Sequence, residues 1–176
     1  LSGTFVWTGF DYRGEPTPYG WPCVSSHFGI MDVCGFPKDG YYAYKAAWTS
    51  QPIVHVFPHW NLKGKEGQNI KMGVYTNCEE TELLINNKSL GRRKTTPYIR
   101  EEWNAIYVPG KIEVRGYNHG KLATREINET TGEPARIVMS DNTNIIRANG
   151  TDVVIVNVSV LDKKGRTVPT ASNKMT

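Results

Sequence analysis

The stretch Trp103–Tyr117, which reads WNAIYVPGKIEVRGY, decides the fold class of this chain. Its two halves flank Pro109-Gly110, and this arrangement predicts two short strands joined by a hairpin turn. Similar short runs, bounded by turn residues, occupy residues 53–57, 70–76, 82–86 and 121–127. Strands at this regular spacing predict an antiparallel sandwich of immunoglobulin-like type over residues 52–133.

The segment before the sandwich, residues 1–51, is dense in aromatic residues, glycine and proline. The apolar run Thr4–Thr8 predicts a strand buried on both faces within residues 1–10. After a long irregular segment, a helix is predicted from about Gly40 to Ser50, with Asp39 as its cap. The apolar face of that helix carries Tyr41, Tyr44 and Trp48. Strand, loop and helix make one β/α unit, which needs further structure to pack against.

The segment after the sandwich begins at a break near residues 131–134. It contains a short β run over Ala135–Ser140 and the strongest β run of the chain, Asp152–Leu161, one face of which is wholly apolar. Residues 134–176 are therefore predicted to be the first strands of a further immunoglobulin-like domain, too small to be stable alone.

Composition and charge argue against several classes of function. The 176 residues carry a net charge of +4 in scattered positions, without the basic stripe of a nucleic-acid surface, and no apolar run is long enough for a membrane helix. Three cysteines and four histidines form no ligand pair, so neither zinc nor any other metal or cofactor is predicted. A Cys23–Cys34 disulfide is one interpretation, and we favour buried free thiols. Because the chain opens at Leu1, we expect it to be a piece of a longer protein.

Four motifs carry a resemblance to a known family: residues 3–19 (GTFVWTGFDYRGEPTPY), 25–32 (SSHFGIMD), 34–39 (CGFPKD) and 58–61 (PHWN). Together they resemble glycoside hydrolase family 2, the β-galactosidase family. The resemblance covers essentially the whole chain and is strongest through about residue 67. It implies a (β/α)8 barrel whose last strand and helix are supplied by residues 1–51, followed by the immunoglobulin-like sandwich and the first strands of a second one. The expected fold class is thus mainly β.

The resemblance also implies a sugar-binding role for residues near the mouth of the barrel. Trp7 is expected to form the aromatic floor of the pocket for the terminal sugar, and the alternative is a tryptophan that fills the barrel core. Asp11 or Arg13 could bond sugar hydroxyls, and Glu15 could orient a neighbour. A structural pairing of Asp11 with Arg13 is the alternative that we favour. The run 25–27 (SSH) lacks a nucleophile elbow and carries little weight.

Catalysis in this family needs an acid/base and a nucleophile carboxylate, which the resemblance places after Asn and after Ser on earlier barrel strands. The sequence has no Ser-Glu pair, and Asn128-Glu129 is read as a solvated turn. Both catalytic groups are therefore expected upstream of Leu1, which leaves this fragment inactive alone. The parent is expected to be a periplasmic or secreted bacterial enzyme that hydrolyses terminal β-galactosides or related β-glycosides with retention.

A non-catalytic carbohydrate-binding or interaction module is the alternative function. It would need an exposed aromatic platform on the sandwich, for which Trp60, Tyr98 and Trp103 are the candidates. Core packing is expected for at least two of these three. The incomplete flanking segments also raise the prospect of a homo-oligomer or of strand exchange between chains.

Overall fold

The computed structural model describes residues 5–143 and 145–174. Within these residues the chain forms one α-helix, α1 (Asp39–Trp48), and nine β-strands. The strands are β1 (Val54–Phe57), β2 (Asn69–Thr76), β3 (Glu80–Ile85), β4 (Lys88–Lys94), β5 (Glu101–Ile106), β6 (Lys111–Asn118), β7 (Lys121–Glu129), β8 (Arg136–Asp141) and β9 (Val156–Leu161). The mainly β class is confirmed.

Two antiparallel sheets face each other and form the predicted sandwich. One sheet has the strand order β1-β2-β5, and the other has the order β4-β3-β6-β7. The inward side chains of both sheets, with a few from the connections, make one buried apolar cluster. Its members are Val54, Val56, Trp60, Met72, Val74, Cys78, Leu83, Trp103, Ala105, Tyr107, Ile112 and Val114. This cluster is the core that holds the two sheets together.

The alternation of side chains along β2 and β6 explains why these strands lie where they do. Met72 and Val74 point inward from one sheet, and Ile112 and Val114 point inward from the other. On the outer side of β2, the ring of Phe57 covers Gly73 so closely that a Cβ there would lie 2.5 Å from it. Each strand therefore buries one face against the opposite sheet, as a period of two requires.

The hairpin predicted around Pro109-Gly110 is wrong. β5 pairs with β2, whereas β6 pairs with β3 and β7, so the connection crosses from one sheet to the other. The physical reason is that both strands carry an apolar face that must be buried. Trp103 and Ile112 meet the same core from opposite layers, which adjacent strands of one sheet would not achieve in this sandwich.

The sequence does not predict strand β4: residues 86–89 indicate a turn, and no strand is predicted over residues 90–94. All seven residues of Lys88–Lys94 are exposed and show no hydrophobic alternation. The strand forms because Asn86 and Asn87 adopt positive φ and turn the chain back onto β3. Asparagine tolerates this left-handed conformation, so the turn, and not the strand pattern, specifies β4.

The predicted N-terminal strand is not formed by the described residues. Residues 1–4 lie outside the described part, and residues 5–9 make no ladder with any other segment. The first pairing is a single parallel bridge between Phe10 and Met31. Phe5 and Trp7 are exposed, because within the described residues no neighbouring strands cover them.

The predicted helix forms with small differences at its start. Lys38 is the N-cap and Asp39 is the first helical residue, so the expected cap by Asp39 is wrong. A carboxylate in the first turn is still favourable, because it interacts with the positive end of the helix dipole. Tyr44 and Trp48 contact each other with ring centroids 5.2 Å apart, yet no residue of α1 is fully buried.

The C-terminal segment is a two-stranded antiparallel unit in which Ile137 faces Val160 and Met139 faces Val158. Several of its apolar side chains are exposed, because none of the described residues covers that face. Asp162, buried just after β9, accepts hydrogen bonds from the backbone N–H groups of Gly132, Lys164 and Arg166. The bond from Gly132 attaches the segment to the end of the sandwich, and the other two hold the turn after β9.

Asn128-Glu129 belongs to β7, so the predicted solvated turn is wrong. Asn128 donates from Nδ2 to the carbonyl of Val56 at 3.2 Å and thereby joins the edge of one sheet to the other. Glu129 Oε2 lies 3.5 Å from a guanidinium nitrogen of Arg166. Both side chains therefore hold the fold together.

Candidate functional site

Trp7 lies on the irregular segment before the first backbone bridge, and its side chain is exposed. The residue exposes 69% of its surface, so the described residues do not bury it in a core. The bridge between Phe10 and Met31 fixes the segment just after it, and Met31 N donates to Gly9 O at 3.0 Å. The indole is therefore available as a flat apolar surface close to a fixed backbone.

Asp11 is buried and forms the centre of a brace that consists of Asp11, Gly29 and Lys38. One carboxylate oxygen accepts from Gly29 N at 2.8 Å, and both oxygens accept from Lys38 Nζ at 2.8 and 3.0 Å. Burial alone would raise the pKa of Asp11, but the hydrogen bonds from Lys38 and Gly29 outweigh it and hold the pKa below its usual value. Asp11 is therefore a carboxylate that ties the segment to the start of α1.

Position 29 must be a glycine, because the neighbouring backbone leaves no room for a Cβ atom. A Cβ at this position would lie 2.2 Å from Asp11 N and 2.3 Å from the carbonyl carbon of Phe10. Both are backbone atoms, so neither can rotate away. The close approach lets the amide of Gly29 reach the carboxylate of Asp11.

Arg13 is exposed, and its guanidinium forms no ion pair with any described residue. The favoured pairing of Asp11 with Arg13 is wrong, since Asp11 pairs with Lys38. The backbone of Arg13 bridges Ser25, and Gly14 N donates to Val24 O at 2.8 Å. The loop thus presents the side chain of Arg13 to solvent from a fixed backbone.

Glu15 accepts a hydrogen bond from the phenol of Tyr12, so it does orient a neighbour. This bond, more than burial, raises the pKa of Tyr12. The backbone of Tyr12 is also held, because its N–H donates to Ser26 Oγ at 3.1 Å.

The run 25–27 is structural. Ser26 is buried, and its hydroxyl oxygen accepts a hydrogen bond from the backbone N–H of Tyr12. His27 stacks edge-on against Tyr19, and its Nε2 lies 3.4 Å from Cys23 Sγ. All three cysteines are free thiols, of which only Cys78 is fully buried. The disulfide interpretation is therefore wrong, and the expectation of buried thiols holds for Cys78 alone.

The aromatic residues considered for a carbohydrate platform do not form one. Trp60 and Trp103 are buried in the sandwich core, and Tyr98 alone of the three is exposed. Trp60 packs edge-on against Tyr107 and donates from Nε1 to Val108 O at 3.0 Å. The described part of the sandwich has no row of these rings facing solvent.

Sequence reasoning missed the partners that organise the site. Lys38 and Gly29 belong to two of the family motifs, yet nothing in the sequence links them to Asp11, from which they are separated by 27 and 18 residues. Lys38 also donates to the carbonyl of His27 at 3.2 Å. The available signals were an aspartate and a glycine in an aromatic-rich loop.

Comparisons with known proteins agree on one family. A family model described as a domain of unknown function (DUF4982) matches residues 67–124, within the sandwich. The chain is 46% identical over 175 residues to Beta-galactosidase BoGH2A of Bacteroides ovatus, covering 98% of this chain and 20% of that protein. It is 38% identical over 180 residues to a putative beta-glucuronidase of Formosa agariphila, covering 99% of this chain and 17% of that protein.

Solved structures give the same result. A beta-glycosidase from Bacteroides vulgatus superposes with a TM-score of 0.86 at 39% identity, covering 95% of this chain and 21% of that one. A glycosyl hydrolase family 2 member from Bacteroides cellulosilyticus superposes with a TM-score of 0.84 at 26% identity, covering 92% of this chain and 26% of that one. The fold and the sequence similarity therefore define a part of a glycoside hydrolase.

The chain belongs to glycoside hydrolase family 2. It spans 20% and 17% of the lengths of the two relatives named above.

Proposed function

We propose that this chain is part of a retaining β-glycosidase that acts on terminal β-galactosides or related β-glycosides. The observation that carries the proposal is the similarity to a beta-galactosidase along 98% of the chain. Beta-glucuronidase relatives extend the substrate class to glycosides of sugar acids. We propose that the catalytic acid/base and nucleophile, which retaining enzymes hold about 5–5.5 Å apart, lie outside these 176 residues, so that the chain alone is inactive.

Within that enzyme, residues 1–51 would complete the catalytic barrel and residues 52–133 would be the sandwich that follows it, with 134–176 beginning a further domain. Active sites of such barrels lie at the C-terminal ends of the strands, where the mouth loops meet. The exposed indole of Trp7 would stack on the C–H face of the terminal sugar. The guanidinium of Arg13, which forms no ion pair with any described residue, would donate to a sugar hydroxyl or carboxylate.

Asp11 would act differently from a direct sugar ligand. Both of its oxygens are engaged by Lys38, and one also accepts from Gly29. We therefore infer that Asp11 holds the backbone that presents Trp7 and Arg13. A substitution at Asp11 would then lower affinity for all glycosides alike, because it displaces the loop without removing a sugar contact.

Carbohydrate is the proposed partner of the parent enzyme, in a periplasmic or secreted setting. A non-catalytic binding module finds little support, because Trp60 and Trp103 are in the core. Association of chains through the exposed apolar residues of β8 and β9 is proposed for the isolated chain.

The test compares the 176-residue chain with the longer polypeptide encoded around it, using p-nitrophenyl β-D-galactoside and β-D-glucuronide. The longer protein is expected to hydrolyse one of them and the chain neither. In the longer protein, Trp7→Ala is expected to lower kcat/KM by about 10- to 100-fold, equivalent to about 1.4–2.7 kcal/mol. Trp21→Ala is the matched control, because Trp21 is also an exposed tryptophan of this segment.

Three outcomes would contradict the proposal. Turnover by the chain alone would show that the catalytic groups lie within it. Failure of the longer protein to cleave any aryl β-glycoside would remove the enzyme class. Equal loss of activity in Trp7→Ala and Trp21→Ala would show that Trp7 has no specific sugar contact.

A further inference from the structure

His55 sits at the joint between helix α1 and the sandwich, with both ring nitrogens occupied. Its Nε2 lies 3.0 Å from Asp39 Oδ1, in the first turn of α1, and its Nδ1 lies 3.3 Å from Glu126 Oε2, on β7. The ring stacks on Tyr42 of the same helix, with centroids 3.7 Å apart and planes 14° apart. Its side chain exposes only 14% of its surface.

These contacts favour one protonation state of His55. A neutral imidazole has one N–H and one bare nitrogen, so it can donate to only one of two carboxylates, and the other carboxylate would face a lone pair. An imidazolium has two N–H groups and satisfies both acceptors, with charge assistance in each bond. The geometry therefore points to a histidine that is positively charged when the joint is closed.

The surrounding charges favour the same state. Asp39 and the phenol of Tyr42 face His55 from α1, Glu126 faces it from β7, and Tyr75 pairs with it from β2. Among the described residues, no lysine or arginine comes within 4.0 Å of either carboxylate. Burial opposes protonation, but the hydrogen bonds to Glu126 and Asp39 outweigh it and raise the pKa of His55 above 6.5.

The contacts of His55 are connected directly to the brace of Asp11, Gly29 and Lys38. Lys38, whose ammonium binds Asp11, is the residue immediately before Asp39, whose carboxylate binds His55. Lys38 N also donates to Ile30 O at 3.1 Å, next to Gly29 of the brace. A shift of the first turn of α1 would therefore move both contacts together.

We propose that His55 is a positioning residue: its imidazolium fastens the first turn of α1 to β1 and β7, and through Lys38 and Asp11 it fixes the loop that carries Trp7 and Arg13. Only the effect on a sugar-binding loop rests on the proposed function. The fastening of α1 stands on the contacts of His55 alone.

The direction of the pH dependence follows from proton linkage. His55 binds its proton more tightly in the closed state, in which it contacts both carboxylates, than in an open state without these contacts. The closed state is therefore fully favoured below pH 6.5. The ratio of closed to open states falls by up to tenfold for each pH unit between 6.5 and the pKa that His55 has in the closed state. Above that pKa the ratio no longer changes. The joint thus loosens as the solution becomes more alkaline.

The experiment is an NMR titration of the full 176-residue chain from pH 5 to 9. The ring resonances of His55 give its titration midpoint, and amide exchange, expressed as protection factors, reports on the helix amides at 41–48 and on Gly29. We expect a midpoint above 6.5 and protection at both places that falls across the same pH interval. His55→Gln should give low protection independent of pH. His55→Arg should give high protection independent of pH, because a guanidinium stacks and donates to two carboxylates without titrating.

The matched control is His119→Gln, because His119 also lies near a carboxylate, 3.2 Å from Glu79, but is 89% exposed and distant in sequence from α1. It should leave the wild-type profile unchanged. A midpoint at or below 6.5, or helix protection that stays flat across the titration, would overturn the proposal even if His55→Gln fails to fold, because wild-type protein supplies both readouts. A profile seen in the helix but absent at Gly29 would overturn the link to the loop. Neither readout uses turnover, so failure here leaves the glycosidase proposal intact, and the reverse also holds.

Discussion

Substitution of Gly116 by alanine tests whether the sandwich core is packed as tightly as the structure shows. Gly116 is a buried residue of β6, located where the pairing with β7 is irregular. A Cβ at this position would lie 2.5 Å from Cys78 Sγ and 2.9 Å from Val54 Cγ1. Its φ is not in the left-handed region, so an alanine is acceptable to the backbone and the steric contact decides the outcome.

The magnitude follows from these two contacts. Ordinary carbon contacts lie at about 3.5–4.0 Å, so the side chains of Cys78 and Val54 must each move by roughly 1 Å. Such overpacking costs about 1–3 kcal/mol, and replacing glycine in a strand returns about 0.5–1 kcal/mol of backbone entropy. We expect a net loss of about 1–2 kcal/mol in the free energy of unfolding.

The assay is urea denaturation followed by tryptophan fluorescence, because Trp60 and Trp103 are buried in the same core. With a slope of about 1.5 kcal/mol/M, the midpoint should fall by roughly 1 M. Combining Gly116→Ala with Cys78→Ala removes the closest clashing atom, so the double variant should be more stable than the sum of the single effects by about 1 kcal/mol.

The control is Gly40→Ala in α1, where a Cβ meets nothing within 4 Å. That substitution should be neutral or stabilising by up to about 1 kcal/mol, because alanine favours a helix. Wild-type stability in Gly116→Ala, or strict additivity with Cys78→Ala, would refute the steric explanation.

Three further substitutions probe the other contacts. Asp162→Asn should speed amide exchange in residues 160–168 at pH 7. Hydrogen bonds from the backbone of Gly132 and Arg166 hold the pKa of Asp162 well below 3.8. The contribution of this carboxylate to stability is therefore full above about pH 4 and is lost as the pH falls through its pKa in the folded state. Amide exchange in the wild type and in the variant should become equal in acid. Glu113→Ala removes a carboxylate that is only 1% exposed and that binds Lys111 and Arg115. Urea unfolding should show a loss of about 1–2 kcal/mol in the free energy of unfolding. The control Glu79→Ala, at an exposed carboxylate, should cost less than about 0.5 kcal/mol. Met72→Ala should cost about 2–5 kcal/mol in the same assay, because it opens a cavity in the core, and a smaller loss would show that the sheets collapse around it.

The sandwich was predictable because its strands alternate. Met72 and Val74 show the period of two that a half-buried strand needs, and the structure buries both. The alternation does not predict which strands pair with each other. Pro109-Gly110 looks like a hairpin turn, but whether two neighbouring strands pair or face each other depends on the remainder of the core. The exposed strand β4 shows the opposite case, in which pairing exists without any hydrophobic pattern.

The candidate site was predictable in its residues and not in their contacts. Trp7, Asp11 and Arg13 were found through a family motif, and the structure places them on one loop. The ammonium that neutralises Asp11 comes from Lys38, across a loop whose path the sequence does not specify. The local sequence predicts Asp39 as a helix cap, whereas in the structure its carboxylate contacts the ring of His55. Local propensity describes the backbone here, but tertiary packing decides which charges meet.

The strand β4 has a consequence for how this sandwich behaves beside other sheets. Among the described residues it is the outermost strand of its sheet, and its seven residues include Lys88, Arg92, Arg93 and Lys94. Arg92 pairs with Glu80, whereas the other three form no ion pair with a described residue and keep the strand positively charged. Gly91 adds a left-handed φ of 108° within the same strand. A foreign strand approaching this border would meet an irregular, cationic template, and a second copy would meet its own charge. The border is thereby protected from edge-to-edge aggregation.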